Sequence, residues 1–376
     1  MARIDTLTNF LTDVANSIRT KKGTTDKISP ANFDTEIESI QGGGEPNLQS
    51  KSLTITSNGT TNVTPDDGYD GLDKVAITTN VSGGGDDWEI NNCASLFTND
   101  YRTSLIPIWL PHCKNVTKVQ YMFSSNTLSL TDLDLSTLDT SKVTDFSSMF
   151  LSNSKLKTLN VDNFDTSNGT NMYMMFRTNP VLLELNLNHF NTSKVTNMGY
   201  MFNGCDALKT LNIDNFNTSK VTSMSTMFSG CKAITSLNVS NFDISNVTSI
   251  DNMFSNCNAL EELDLSNFKT SKITNITSMF YCCYKLKSLD LSGFTTTNLS
   301  RAQNTFLSCY NLATIDLSGL DLTKITTMSG MFSNCGRDLS SPTIVYVKDE
   351  ASQNWVLTAN NGHPTTWSTE NVIIKS

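Results

Sequence analysis

The sequence predicts an α/β repeat solenoid, an array with an in-register parallel sheet and short helical segments, preceded by a helical hairpin and a small β module. Three observations predict it. Phe97, Phe123, Phe150, Phe176, Phe202, Phe228, Phe254, Phe280, Phe306 and Phe332 recur every 26 residues, with one step of 27 between Phe123 and Phe150. Leu or Ile follows each central Phe at fixed offsets, as in Leu208, Leu211 and Ile213 after Phe202, or Leu286, Leu289 and Leu291 after Phe280. The alternation in the last two of these is that of a strand with one face inward. A fixed period of this length means units that bury their apolar faces only against their neighbours.

Taken in order, residues 1–41 read as two amphipathic helices. Asp5 is an N-cap, with Leu7, Phe10, Leu11, Val14 and Ile18 at helical spacing; Pro30 opens a second helix with Phe33, Ile37 and Ile40 on one face. So thin a core predicts attachment to a larger assembly or to copies of itself. Residues 42–50 form a linker begun by three glycines. Residues 51–82 predict a small β module. Its parts are 51–57 (KSLTITS), a turn at Asn58-Gly59, the alternation 60–64, and a third strand over 73–81. Residues 83–87 form a second linker.

The array occupies residues 88–340. Within each coil, after the strand comes another aromatic or Leu (Phe164, Phe190, Phe216, Phe242, Phe268, Phe294, Leu320). Apolar residues then recur at three-residue steps before the next Phe, as in Val221, Met224 and Met227, which predicts a helical turn or short helix. Gly169, where Val or Ile is usual, predicts a soft coil, and Ala302 with Thr305 a second one. Trp88 and Trp109 are expected to close the N-terminal end. In 341–376 the period breaks: 344–348 and 372–375 predict strands flanking a helix at 349–357, with Trp355 and Trp367 covering the last coil.

Composition narrows the function. The net charge is −9 with no basic stripe, which argues against nucleic acid. No run approaches the ~20 apolar residues that cross a membrane, and no insertion is expected. The N-terminus has no secretory pattern, so synthesis in the cytoplasm without an export tag is expected. Cys205, Cys231, Cys257, Cys283, Cys309 and Cys335 each follow the repeated Phe by three residues; Asn153 and Asn179 take that place in earlier coils. A column of buried thiols is expected, not a metal centre.

No catalytic motif emerges. His112, His189 and His363 are scattered, and acidic pairs such as Glu261/Glu262 belong to columns where a catalytic pair would be singular. No cofactor or metal is expected. The outward strand positions are the candidate ligand-binding surface: Glu184, Asn186, Thr210, Asn212, Ser236, Asn238, Glu262, Asp264, Ser288, Asp290 and Asp316, preceded by Thr158 and Asn160. Such rows could grip a repeating polysaccharide or a protein edge through many modest hydrogen bonds, or simply solvate the sheet. Lys142, Lys194, Lys220, Lys272 and Lys324 form a further column, either a solvated edge or a contact for anionic wall polymers.

The motif MFxxCxxLxxLxLxxF followed by xTSKVTxM resembles the BspA-like branch of leucine-rich repeats, over residues 91–340. The resemblance implies a right-handed solenoid with a parallel sheet on one side, used as an interaction scaffold in bacterial surface lipoproteins and phage proteins. Residues 5–41 and 51–81 resemble N-terminal segments of tail and minor structural proteins of phages infecting Gram-positive bacteria. That implies a non-enzymatic virion tail component (tail tip, baseplate or fibre). Its N-terminus would join other tail proteins through Leu7, Phe10, Leu11, Val14, Ile18, Phe33, Ile37 and Ile40. It would act as a homo-oligomer, a trimer being favoured, with the solenoid meeting a bacterial surface glycan or protein receptor. A bacterial BspA-like surface adhesin is the alternative.

Overall fold

A computed structural model describes residues 89–98, 110–268, 270–359 and 361–375, together with 61–63, 77–79, 81–82 and Ile106. The expected helices over residues 1–41, both linkers, the 51–57 strand with its Asn58-Gly59 turn, Trp88 and Trp109 lie outside the described residues. Of the expected β module, β1 (Thr61–Val63) pairs antiparallel with β2 (Ile77–Thr79). β3 (Val81–Ser82) pairs antiparallel with β4 (Glu89–Ile90).

From there the chain is a parallel solenoid. β5 (Asp132–Asp134) pairs with β6 (Thr158–Asn160), and β7 (Glu184–Asn186) with β8 (Thr210–Asn212). β9 (Ser288–Asp290) pairs with β10 (Thr314–Asp316). Leu185 lies opposite Leu211 and Leu289 opposite Ile315, the register that the 26-residue period demands. Between β8 and β9 a single parallel bridge, Ser236 to Glu262, takes the place of full strands. The strands are only three residues long because the third residue ends them. Asp134 Oδ1 accepts the Ser136 N–H at 3.0 Å, Asp264 that of Ser266 at 2.9 Å and Asp290 that of Ser292 at 2.8 Å. Each such bond closes a turn against the ladder.

The segment before each Phe is not the expected helix. It is a run of turns in which alternate N–H groups leave the coil and bond the next one, while those between bond three residues back, as Leu151 N does to Ser148 O at 3.1 Å. Ser148 N donates to Tyr173 O at 2.9 Å, Phe150 N to Met175 O at 2.9 Å and Ser152 N to Arg177 O at 2.8 Å. The cause is conformational. Two residues four apart are left-handed in each coil (Ser148 at φ 56°, Ser152 at 61°), and this turns the amides along the stack, where a helix would aim them back four residues. Thr178 (φ 59°) and Thr226 (φ 63°) bear that conformation despite their β-branches. The neighbouring coil accepts from the amides so turned, and stacking prevails over local propensity.

Inside, the Phe column is continuous. Phe202 and Phe228 stack at 5.6 Å and 6° between planes, Phe228 and Phe254 at 5.7 Å and 4°. A second aromatic column runs beside it, with Phe164 on Phe190 at 6.4 Å and Phe268 on Phe294 at 6.1 Å. Gly169 does not leave a hole. A Cβ there would come within 3.1 Å of the ring of Phe146, which is itself fully buried where other coils carry Val, Ile or Met. The larger ring fills the volume the glycine gives up. Thr305 is likewise buried, and its hydroxyl donates to Ala302 O and Ile276 O.

Buried threonines clip the coils together. Thr192 Oγ1 donates to Asn217 O at 3.0 Å and accepts from Asn217 N at 2.7 Å; Thr218 repeats both bonds with Asp243. The C-terminal end matches the expectation of strand, helix, strand. β11 (Ile344–Val347) and β12 (Val372–Ile374) extend the parallel sheet beyond β10. Between them α1 (Glu350–Thr358) is capped by Asp349, which accepts from Ser352 N at 2.7 Å. Trp367 covers Phe332 at 5.2 Å between rings, and Trp355 packs partly buried against the core.

Candidate functional site

The strand face sorts the candidate residues into those that offer atoms to solvent and those already engaged. Glu184, Asn186, Thr210, Ser236, Asn238, Glu262, Asp264, Ser288 and Asp290 are exposed, and Asn212 is half-buried. The ladder sets Glu184 beside Thr210, Ser236 beside Glu262 and Ser288 beside Thr314, so one row carries both carboxylates and hydroxyls. The amides of the second row are partly spent. Asn186 Oδ1 accepts from Asn188 N at 3.3 Å and Asn212 Oδ1 from Asp214 N at 3.3 Å. Asn238 Oδ1 accepts from Ser240 N and Oγ, while its Nδ2 donates to Asp214 Oδ1 at 2.8 Å.

Asp316 departs from the expectation. It is buried, since β11 lies alongside β10 and Lys375 bonds its carboxylate. Burial pulls its pKa up, but the bonds from Lys375 and Ser318 outweigh that and hold it below the ordinary value. This acid pins the C-terminal strands and is no part of an open face.

At the other end, Asp132, Leu133, Asp134, Thr158, Leu159 and Asn160 line a shallow depression of about 410 Å³. Thr158 Oγ1 donates to Asp132 Oδ1 at 2.5 Å, and Thr131 Oγ1 donates to Oδ2 at 2.8 Å. These bonds hold Asp132 below the usual carboxylate range; the Ser136 N–H does so for Asp134 and the Ser266 N–H for Asp264. Asp132 and Asp134 escape a count forward from Phe123, because the one extra residue shifts them. Comparing 132–140 (DLDLSTLDT) with 158–166 (TLNVDNFDT) reveals them. The extra residue falls in the loop around Leu128, which is 78% exposed, and Asn126 remains in phase as the column's buried member.

Three lysines of the column are tied down by amides. Lys142 Nζ donates to Asn115 Oδ1 at 2.7 Å, Lys194 to Asn168 at 2.7 Å and Lys272 to Asn246 at 2.8 Å. Glu261 is bridged to Lys287 at 2.5 Å, which lowers its pKa and separates its role from that of Glu262. His189 sets its ring edge-on to Phe190 at 5.0 Å, with Nε2 buried and unbonded. His363 bonds Asn361, and burial lowers its pKa. Among the described residues no three His, Cys, Asp or Glu side chains gather as around a metal ion, and no helix is long and apolar enough to cross a membrane. What the face can do chemically is form many parallel hydrogen bonds, at one-coil intervals, to an extended partner.

The family described as "Mycoplasma protein of unknown function, DUF285" matches residues 91–210, 117–237, 178–281 and 230–343, successive overlapping windows on the coils. The chain belongs to this family. The DUF285 repeat is associated with BspA-like proteins, in keeping with the resemblance of the motif. The first DUF285 window begins just after β4 and the last ends just before β11, so family and solenoid coincide. No curated protein and no solved structure matches the chain.

Proposed function

We propose that the chain is a non-enzymatic phage tail protein, at the tail tip, baseplate or fibre. In this reading residues 1–41 join it to the particle as an oligomer, and the solenoid meets a glycan or protein receptor on the bacterial surface. The observation that carries the reading is the row Glu184, Thr210, Ser236, Glu262 and Ser288, exposed one coil apart. A repeating polymer would meet the same kind of donor or acceptor at each step, and several copies on one particle would turn weak contacts into firm attachment. The resemblance of residues 5–41 and 51–81 to tail proteins supports the particle as the place of action. Peptides of the chain are expected in a mass-spectrometric survey of purified particles from its own phage or prophage. A survey that covers the other tail proteins and never finds it ends this reading. The family description, which names Mycoplasma proteins, favours a second reading, a bacterial surface adhesin. Labelling of the chain on intact, uninfected cells would select that one.

A further inference from the structure

Cys93 and Cys113 stand apart from the thiol column. Cys93 lies four residues before Phe97, in the inward row that later holds Val119, Phe146, Met172 and Met198. Cys113 lies ten residues before Phe123, in the inward row of Thr140, Thr166, Thr192 and Thr218. Two rows that elsewhere hold an apolar side chain and, in most coils, a threonine thus present two sulfurs, one in each of two successive coils. Both residues belong to the continuous core, at 0% and 4% exposure, and their side chains hydrogen-bond to each other. The column thiols do otherwise. Cys205 donates to Phe176 O at 3.1 Å, Cys257 to Phe228 O at 3.2 Å and Cys283 to Phe254 O at 3.1 Å, each sulfur aimed at a carbonyl and not at its neighbour.

We propose that Cys93 and Cys113 are a disulfide-forming pair that hydrogen peroxide closes, locking the first coil of the solenoid to the second. One sulfur of the pair displaces water from peroxide and becomes a sulfenic acid. The other sulfur then attacks it, the S–S bond forms, and the sulfenic oxygen leaves as a second water. The two thiols give up two protons and two electrons, and the broken O–O bond of the peroxide takes them. The lock does not depend on which reading of function holds.

The test uses the full chain, exposed to peroxide, unfolded in denaturant and treated with a maleimide before peptide mapping. Expected is one cross-linked peptide joining Cys93 to Cys113, a mass lower by two hydrogens, and maleimide on the remaining cysteines. The unfolding midpoint should rise, and a reducing agent should reverse both changes. Cys113→Ser should abolish the cross-link, while Cys282→Ser, at a cysteine outside both rows, should retain it. Three results would overturn the proposal: cross-links within the thiol column, sulfinic acid on Cys93 or Cys113 in place of the bond, or maleimide on every cysteine under peroxide that fully oxidises free glutathione.

Discussion

One position in the coil is filled by two chemistries. Three residues after the stacked Phe stand Asn126, Asn153 and Asn179 in the early coils and Cys205, Cys231, Cys257, Cys283, Cys309 and Cys335 in the later ones. All are buried, and both kinds serve the same acceptor, the carbonyl of a stacked Phe. Asn179 Nδ2 reaches Phe150 O at 2.9 Å, and Cys205 Sγ reaches Phe176 O at 3.1 Å. They differ in what remains. An amide brings a second polar atom, satisfied in Asn153, whose Oδ1 accepts from Asn126 N at 3.1 Å, but left without a partner in Asn126 and Asn179. A thiol brings no such remainder, and its cost is an acid group in a dry core. The position therefore requires a donor aimed at one carbonyl, not a particular side chain.

The largest expected difference between the two halves is alkaline lability. Burial pushes Cys205, Cys257 and Cys335 up to about 12 and Cys231, Cys283 and Cys309 well above their ordinary 9.0. Above pH 9 the unfolded chain has lost those protons and the native chain keeps them. Stability is therefore fully present below that pH and falls as pH rises toward 12. Above pH 9 each thiol costs about 1.4 kcal/mol of stability per pH unit, so the three at about 12 together cost roughly 4 kcal/mol per pH unit. The urea midpoint should drop clearly between about pH 8 and 10, and a flat midpoint over that window would remove the thiols as the cause.

Next in size is a change that should not distinguish the halves. The Phe column crosses them without a break, with Phe150 on Phe176 at 5.4 Å and Phe228 on Phe254 at 5.7 Å. Phe150→Ala and Phe228→Ala should each cost about 3–5 kcal/mol and loosen the adjoining coils. Near-parental melting of either variant would mean that the rings are not what the stack rests on. A smaller cost is expected at Asn153, which is bonded through both ends of its amide. Asn153→Leu strands the Asn126 N–H, a loss of about 1–3 kcal/mol, while the Phe150 carbonyl keeps its bond from Asn179 Nδ2. Cys257→Ala strands no group, because the Phe228 carbonyl still accepts from Cys231 N at 3.1 Å, and should cost less in the same urea titration.

The period was legible because a mistake in phase would put Phe or Leu in water; hence the parallel register and the buried thiols read correctly. The turn segment was not. Val221, Met224 and Met227 have helical spacing, yet three-residue steps also suit turns whose amides bond the next coil, and no single coil contains that partner. Gly169 misled for a related reason, since its compensation, Phe146, lies in the preceding coil. On the candidate face, the alternation located Glu184, Thr210 and Glu262, whereas Asp316 was lost to a C-terminal segment that no repeat count foretells.

The finest distinction between the halves is a gain. Asn179→Cys transplants the later chemistry into the earlier half. The thiol can still donate to Phe150 O, as Cys205 does to Phe176 O, and the unpartnered Oδ1 disappears; the second Nδ2 bond, to Phe176 O at 2.6 Å, is lost, and Phe176 O keeps Cys205 Sγ. The lost volume is small, and the adjoining Cys205 shows that a sulfur fits this row. The variant should be more stable by about 1 kcal/mol at most, the desolvation cost of one unsatisfied acceptor less the second Nδ2 bond and the weaker donor. The same exchange at Asn153, where Oδ1 is bonded, should destabilise, so a common sign for the two exchanges in urea titrations would contradict the assignment of the remainder atom.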